Sequence, residues 1–173
     1  KAILTKAYQG FGDNWGDFDN PAHIMGPVVS QRQMERVMSY IALGQAEGAT
    51  LIAGGNARPD KGGGYFIEPT CFADVTNDMR IAQEEIFGPV LVVIPFEDDH
   101  DAVRIANDSA YGLGGGVASA DIDRAMGIAR RVRTGTMSVN GGMSIAGDIP
   151  FGGYKASGMG REIARLFAAE GAA

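Results

Sequence analysis

The sequence predicts an α/β fold, an open parallel sheet with flanking helices. Three observations predict it. Strand-like and helix-like segments alternate β-α-β-α-β over residues 90–140, the pattern of parallel strands joined by crossovers. Glycine reaches 26 of 173 residues, about twice its usual ~7% share, as expected of a fold with many tight turns and close backbone approaches. The third is an ordinary globular balance of 45% hydrophobic and 21% charged residues, enough to bury a core in one domain.

The elements follow in order. Residues 8–29 hold Gly10, Gly12, Gly16, Pro21, Gly26 and Pro27 and read as an irregular loop. Ser30 with Gln33 forms a capping box that opens a helix. Met34, Val37, Met38 and Ile41 make its buried stripe, and Gly48 sits at its C′ end. Thr50–Ala53 is a short strand, and residues 54–64 form a polar turn region. Residues 65–67 and 71–75 are short strands around Pro69, placed near a sheet edge because proline cannot donate to a ladder. Met79 to Glu85 is long enough for about two helical turns.

Residues 90–96 are apolar throughout, as in a strand buried on both faces. Asp99 is the expected cap of a helix with Ala102, Val103, Ile105 and Ala106 on its apolar face. Residues 114–119 are a strand, 121–132 a helix with Ile122, Ala125, Met126 and Ala129 on one face, and 136–140 a strand. Ligands of open α/β sheets sit beyond the carboxyl ends of the strands, which puts Asn140 and its following loop at the functional edge. A glycine-rich tail over 141–160 leads to a last helix, Arg161 to Glu170.

Composition excludes several functions. The net charge of −6 disfavours nucleic-acid binding. No apolar run approaches the roughly 18 residues of a membrane helix, and no secretory signal opens the chain. One cysteine and two histidines exclude an internal disulfide and argue against a dedicated metal site. Cys71 lies in a strand segment with no neighbouring base, so it reads as a buried inert thiol. His23 and His100 read as surface residues, and Asp98, Asp99 and Asp101 as a helix-start cluster. The glycines of Gly112–Gly116 lack the spacing and the preceding strand of a dinucleotide fingerprint, so they read as a helix-to-strand turn.

Two strings carry open alternatives. Glu84-Glu-Ile-Phe-Gly-Pro89 is either a helix end with a Gly-Pro turn or a carboxylate held beside an aromatic ring. The second arrangement can accept hydrogen bonds from sugar hydroxyls and pack against the sugar's apolar face. Pro150-Phe-Gly-Gly-Tyr-Lys-Ala-Ser-Gly-Met-Gly-Arg-Glu162 is either loop packing or a binding site.

These two strings, with Ala106-Asn-Asp-Ser-Ala-Tyr-Gly-Leu113 and Gly135-Thr-Met-Ser-Val-Asn140, resemble the aldehyde dehydrogenase superfamily in order and spacing. Gly26-Pro-Val-Val-Ser30 and its helix are similar to it too. The resemblance implies part of the catalytic domain over residues 1–173, following the nucleophile. It places the nucleophilic cysteine, the general-base glutamate and the cofactor loop upstream of Lys1, and a last, oligomerising strand beyond Ala173. It implies oxidation of an aldehyde to an acid with NAD or NADP, through a cysteine thiohemiacetal and a thioester. On this resemblance Glu85 accepts from the nicotinamide ribose hydroxyls, Phe87 packs beside it, and Phe151 and Ile145 line the aldehyde tunnel. No catalytic residue and no metal ligand is assigned within the chain. The complete enzyme is expected to be a cytoplasmic homo-oligomer, a dimer or tetramer, and the chain alone inactive. The rival expectations are a freestanding small-molecule binding module or an assembly module of the same fold.

Overall fold

A computed structural model describes residues 26–59, 64–141 and 152–158. The chain divides into two compact units, Lys1–Pro95 and Phe96–Ala173.

The first unit begins with α1, Gln31–Ala46. Ser30 is extended, and its Oγ accepts from the Gln33 amide at 3.2 Å. The reciprocal half of the expected capping box is absent, because the Gln33 side chain points elsewhere, to Ile86 and Phe87. The helix ends as expected, with Gly48 at φ +93°, a conformation that costs glycine little. Val37, Tyr40, Ile41 and Gly44 are buried, while Met34 and Met38 pack on the margin of the core.

Three strands follow: β1 (Thr50–Ala53), β2 (Thr70–Ala73) and β3 (Val90–Val92). Their spatial order is β1-β2-β3, antiparallel between the first two and parallel between the last two. The sheet is therefore mixed rather than all parallel. It also moves the Cys71 segment from the expected edge to the centre. Pro69 tolerates this because it precedes the ladder, and Thr70 makes the first bond, its amide donating to Pro89 O at 2.8 Å. Tyr65–Ile67 forms no strand; Ile67 makes one antiparallel bridge with Ala57. β3 is shorter and more open than its apolar sequence suggests, with Leu91 42% exposed. The helix expected up to Glu85 is a single turn, α2 (Arg80–Gln83), because Glu84 is already extended. Val37, Ile41, Ile67, Phe72, Val75 and Ile81 form the core between α1 and the sheet.

The second unit contains α3 (Asp99–Asn107), β4 (Gly114–Val117), α4 (Ile122–Ala129) and β5 (Thr136–Val139). Asp98, not Asp99, caps α3 by accepting from the Asp101 amide at 2.8 Å. Asp99 is thereby placed in the first turn, where it meets Arg124 of α4 at 2.5 Å. Asp121 caps α4 by accepting from the Arg124 amide at 3.0 Å. β4 and β5 pair in parallel, with Gly114 opposite Thr136 and Val117 opposite Val139. The β-α-β-α-β run thus falls into two sheets, β3 closing the first and β4 with β5 forming the second. Gly114–Gly116 belongs to β4 itself. A 3-10 turn, Lys155–Gly158, ends the described chain. Residues 8–25 of the opening loop, the last helix, His23, Ile145 and Phe151 lie outside the described residues. No helix among the described residues is long and apolar enough to cross a membrane.

Candidate functional site

The turn Glu84–Pro89 is built by the face of α1. Alternation along it divides the side chains: Ile86 is buried and Glu84 half-buried, while Glu85 and Phe87 are exposed. The two neighbouring glutamates consequently differ. Glu84 accepts from Arg80 Nε at 2.7 Å and from the Tyr40 hydroxyl at 2.5 Å. The Arg80 bond, helped by Tyr40, lowers the Glu84 pKa to about 2. The Glu85 carboxylate has no hydrogen-bond or ion-pair partner among the described residues.

The Glu85 backbone is held firmly. Its carbonyl accepts from Arg36 Nη2 at 2.9 Å. The Ile86 and Phe87 carbonyls accept from Gln33 Nε2 at 2.9 and 3.0 Å. Phe87 has φ +56°, the left-handed region that costs a non-glycine residue about 1 kcal/mol or more and persists only where its surroundings impose it. Here Gln33 on one side and the close packing of Gly88 on the other impose it. A Cβ on Gly88 would lie 2.4 Å from Val37 Cγ2, so only glycine lets the turn approach α1 this closely. The result is a rigid shelf carrying an ionisable carboxylate and an aromatic ring that is 72% exposed. A carboxylate accepts two hydroxyl hydrogen bonds, and an adjacent ring can cover an apolar sugar face.

Other sequence-singled residues have structural employment. Cys71 is fully buried in the central strand, and burial pushes its thiol pKa up, opposite to what a nucleophile needs. Asp98 caps α3, Asp99 pairs with Arg124, and Asp101 pairs with Arg104 at 2.6 Å. Asn140 donates to Ser119 O and accepts from Ser119 N, both at 2.8 Å, so it ties the carboxyl ends of β4 and β5 together. Among the described residues no group of three His, Cys, Asp or Glu is placed to hold a metal ion. Sequence reasoning passed over Arg36 and Tyr40 and read Gln33 only as a capping-box residue. Their spacing of three and then four along α1 puts all three polar groups on one stripe, beside buried Val37, and that was the available signal.

The family model described as "Aldehyde dehydrogenase family" matches residues 3–170. The chain belongs to the aldehyde dehydrogenase family. A geranial dehydrogenase of Castellaniella defragrans is 51% identical over 148 residues, covering 86% of this chain and 30% of that protein. A betaine aldehyde dehydrogenase of Rhizobium leguminosarum bv. trifolii is 50% identical, covering 85% of this chain and 30% of its own length. Among solved structures, a Mycobacterium tuberculosis aldehyde dehydrogenase complexed with NAD+ superposes with TM-score 0.76 at 49% identity, over 80% of this chain and 29% of that one. A betaine aldehyde dehydrogenase from Staphylococcus aureus in complex with NAD+ gives 0.75 at 41% identity, over 80% and 28%. The chain spans about 30% of the length of the aldehyde dehydrogenase relatives it matches.

Proposed function

We propose that residues 1–173 are part of the catalytic domain of an NAD(P)-dependent aldehyde dehydrogenase, and that the Glu84–Pro89 turn faces the cofactor's nicotinamide ribose. The observation that carries this reading is the division of labour in the turn. Glu84 is consumed by Arg80 and Tyr40, whereas Glu85 and Phe87 stand exposed on a backbone fixed by Gln33 and Arg36. This pair fits a ribose: the Glu85 carboxylate accepts from two hydroxyls, and the Phe87 ring packs beside the sugar.

A nicotinamide cofactor held by Glu85 and Phe87 would supply the hydride acceptor for the oxidation. The chain's own share is orientation. A fixed carboxylate restrains the ribose and so the ring attached to it, which is where placement matters for transfer. Phe151 and Ile145 are proposed to line the aldehyde tunnel. The attacking thiol comes from sequence outside these residues, because Cys71 is the chain's one cysteine and is fully buried in β2, between β1 and β3. Attack gives a thiohemiacetal, and after hydride departure water cleaves the thioester to the acid. A homo-oligomer acting in the cytoplasm completes the proposal, on the family resemblance. A freestanding binding or assembly module is the weaker reading, since relatives near 50% identity are named dehydrogenases.

The test is Glu85→Gln in the complete protein that contains these residues. Loss of a charge-assisted pair worth about 1.5–3 kcal/mol predicts an NAD+ Kd about ten- to a hundredfold weaker. Hydride transfer slows, and the aldehyde KM stays within about twofold. Unchanged NAD+ affinity with unchanged turnover removes Glu85 from the site.

A further inference from the structure

We infer that Tyr40 is a positioning residue for the Glu85 carboxylate, acting through Arg36 and Glu84; the inference rests on the reading of Glu85 as the ribose acceptor. Tyr40 lies on α1 and is 7% exposed, with its hydroxyl at the margin of the core. The hydroxyl donates its one hydrogen to Glu84 Oε2 at 2.5 Å and accepts from Arg36 Nη2 at 3.3 Å. The same Arg36 Nη2 donates to the Glu85 carbonyl at 2.9 Å. The guanidinium also rests over the Tyr40 ring, its carbon 5.1 Å from the ring centroid.

The directions are forced. Glu84, ionised and bound to Arg80, can only accept, so the phenol must donate to it and offers Arg36 a lone pair. The order is Arg36 to Tyr40 to Glu84, with Arg36 reaching sideways to Glu85. The side chains of Arg36 and Glu85 are both exposed, so Arg36 is oriented by its hydrogen bonds and the Tyr40 ring rather than by burial. Tyr40 is the one buried member of the set, and it ties the Glu84 side chain directly, and the Glu85 carbonyl through Arg36, to the helix. Without its hydroxyl, Glu84 keeps only Arg80, and Arg36 loses the acceptor that orients it toward the Glu85 carbonyl. The Glu85 backbone then gains freedom, and the carboxylate with it.

The experiment uses Tyr40→Phe, which keeps the ring and its packing, in the complete enzyme. The loss of two singly charge-assisted bonds predicts a KM for NAD+ raised about three- to tenfold. At saturating cofactor hydride transfer slows in the same sense as in Glu85→Gln but by less, while the aldehyde KM stays within about twofold, a split that general destabilisation would not produce. Arg36→Met raises the NAD+ KM in the same direction, because it removes the donor to the Glu85 carbonyl. Tyr40→Phe combined with Glu85→Gln is less than additive, because both act on one contact. If Glu85→Gln alone leaves NAD+ binding unchanged, the ribose reading itself fails. If Glu85→Gln weakens NAD+ while Tyr40→Phe does not, or the double variant is fully additive, the ribose reading stands and the positioning role of Tyr40 is overturned.

Discussion

Lys155 Nζ donates to the Asn107 carbonyl at 2.7 Å, across 48 residues of sequence. Asn107 is the last residue of α3, and the same ammonium reaches Ser109 O at 3.0 Å. A positive charge therefore closes the carbonyl end of α3, where helix carbonyls lack partners. The arrangement holds Lys155 at φ +53°, and the Gly152–Gly158 segment is fastened beside it by the Tyr154 amide to Gly112 O and the Ala156 amide to Ala110 O. Lys155→Met keeps most of the stem and removes every donor. It should cost about 1 kcal/mol, read as a lower denaturant midpoint with unchanged slope. A midpoint equal to the parent's would mean that the ammonium contributes nothing.

Acid sensitivity should trace to Glu84. Its pKa is about 2 in the fold against an ordinary 4.5. A depressed carboxylate stabilises the fold above its ordinary value, and that stabilisation fades as the pH falls from about 4.5 through about 2. Glu84→Gln should accordingly be less stable than the parent near neutrality, with the difference narrowing across that window. Asp78, Asp99 and Asp101 are lowered too, by Thr76, Arg124 and Arg104 respectively, so the variant still loses stability in acid, less steeply. Urea midpoints at several pH values measure this. Parallel curves for the two proteins would contradict it.

Gly88 and Val37 should be energetically coupled. A methyl on Gly88 overlaps a fully buried Val37 side chain that has no room to retreat. Gly88→Ala should destabilise by about 1–3 kcal/mol. In a Val37→Ala background the same change should cost less, with a coupling of about 0.5–3 kcal/mol. A double-mutant cycle by chemical denaturation reads it, and strict additivity would refute the contact.

The thiol of Cys71 should be silent. A water-soluble disulfide reagent should react with it only as fast as the fold opens, and rapidly in denaturant. The 173 residues prepared alone should not oxidise aldehydes with NAD+. Turnover that survives Cys71→Ser in that chain would overturn the assignment of the attacking thiol to sequence elsewhere.

Local features were readable from the residues. The Ser30 cap, the Gly48 terminator and the bounds of β1 depend on neighbours only a few positions away, and they lie where propensity puts them. Partner choice was not readable in the same way. Thr70–Ala73 is central because β1 and β3 flank it, a relation between segments about 20 residues apart that no periodicity encodes. The capping aspartate of α3 is off by one because three acidic residues in four positions compete, and Asp99 is claimed by Arg124. In the candidate site, Glu84 and Glu85 are chemically identical in sequence. Only the reach of Arg80 and Tyr40 makes one a brace and leaves the other exposed. Residues Phe151 and Ile145 gain nothing from the described structure and rest on resemblance.

Gln33 sits in the opening turn of α1, yet its amide serves two carbonyls more than fifty positions away. Fraying of that first turn and loosening of Phe87 therefore cannot be separate events. Amide hydrogens at the start of the helix and around Phe87 should exchange with solvent at a shared rate. Whatever melts the one end loosens the other.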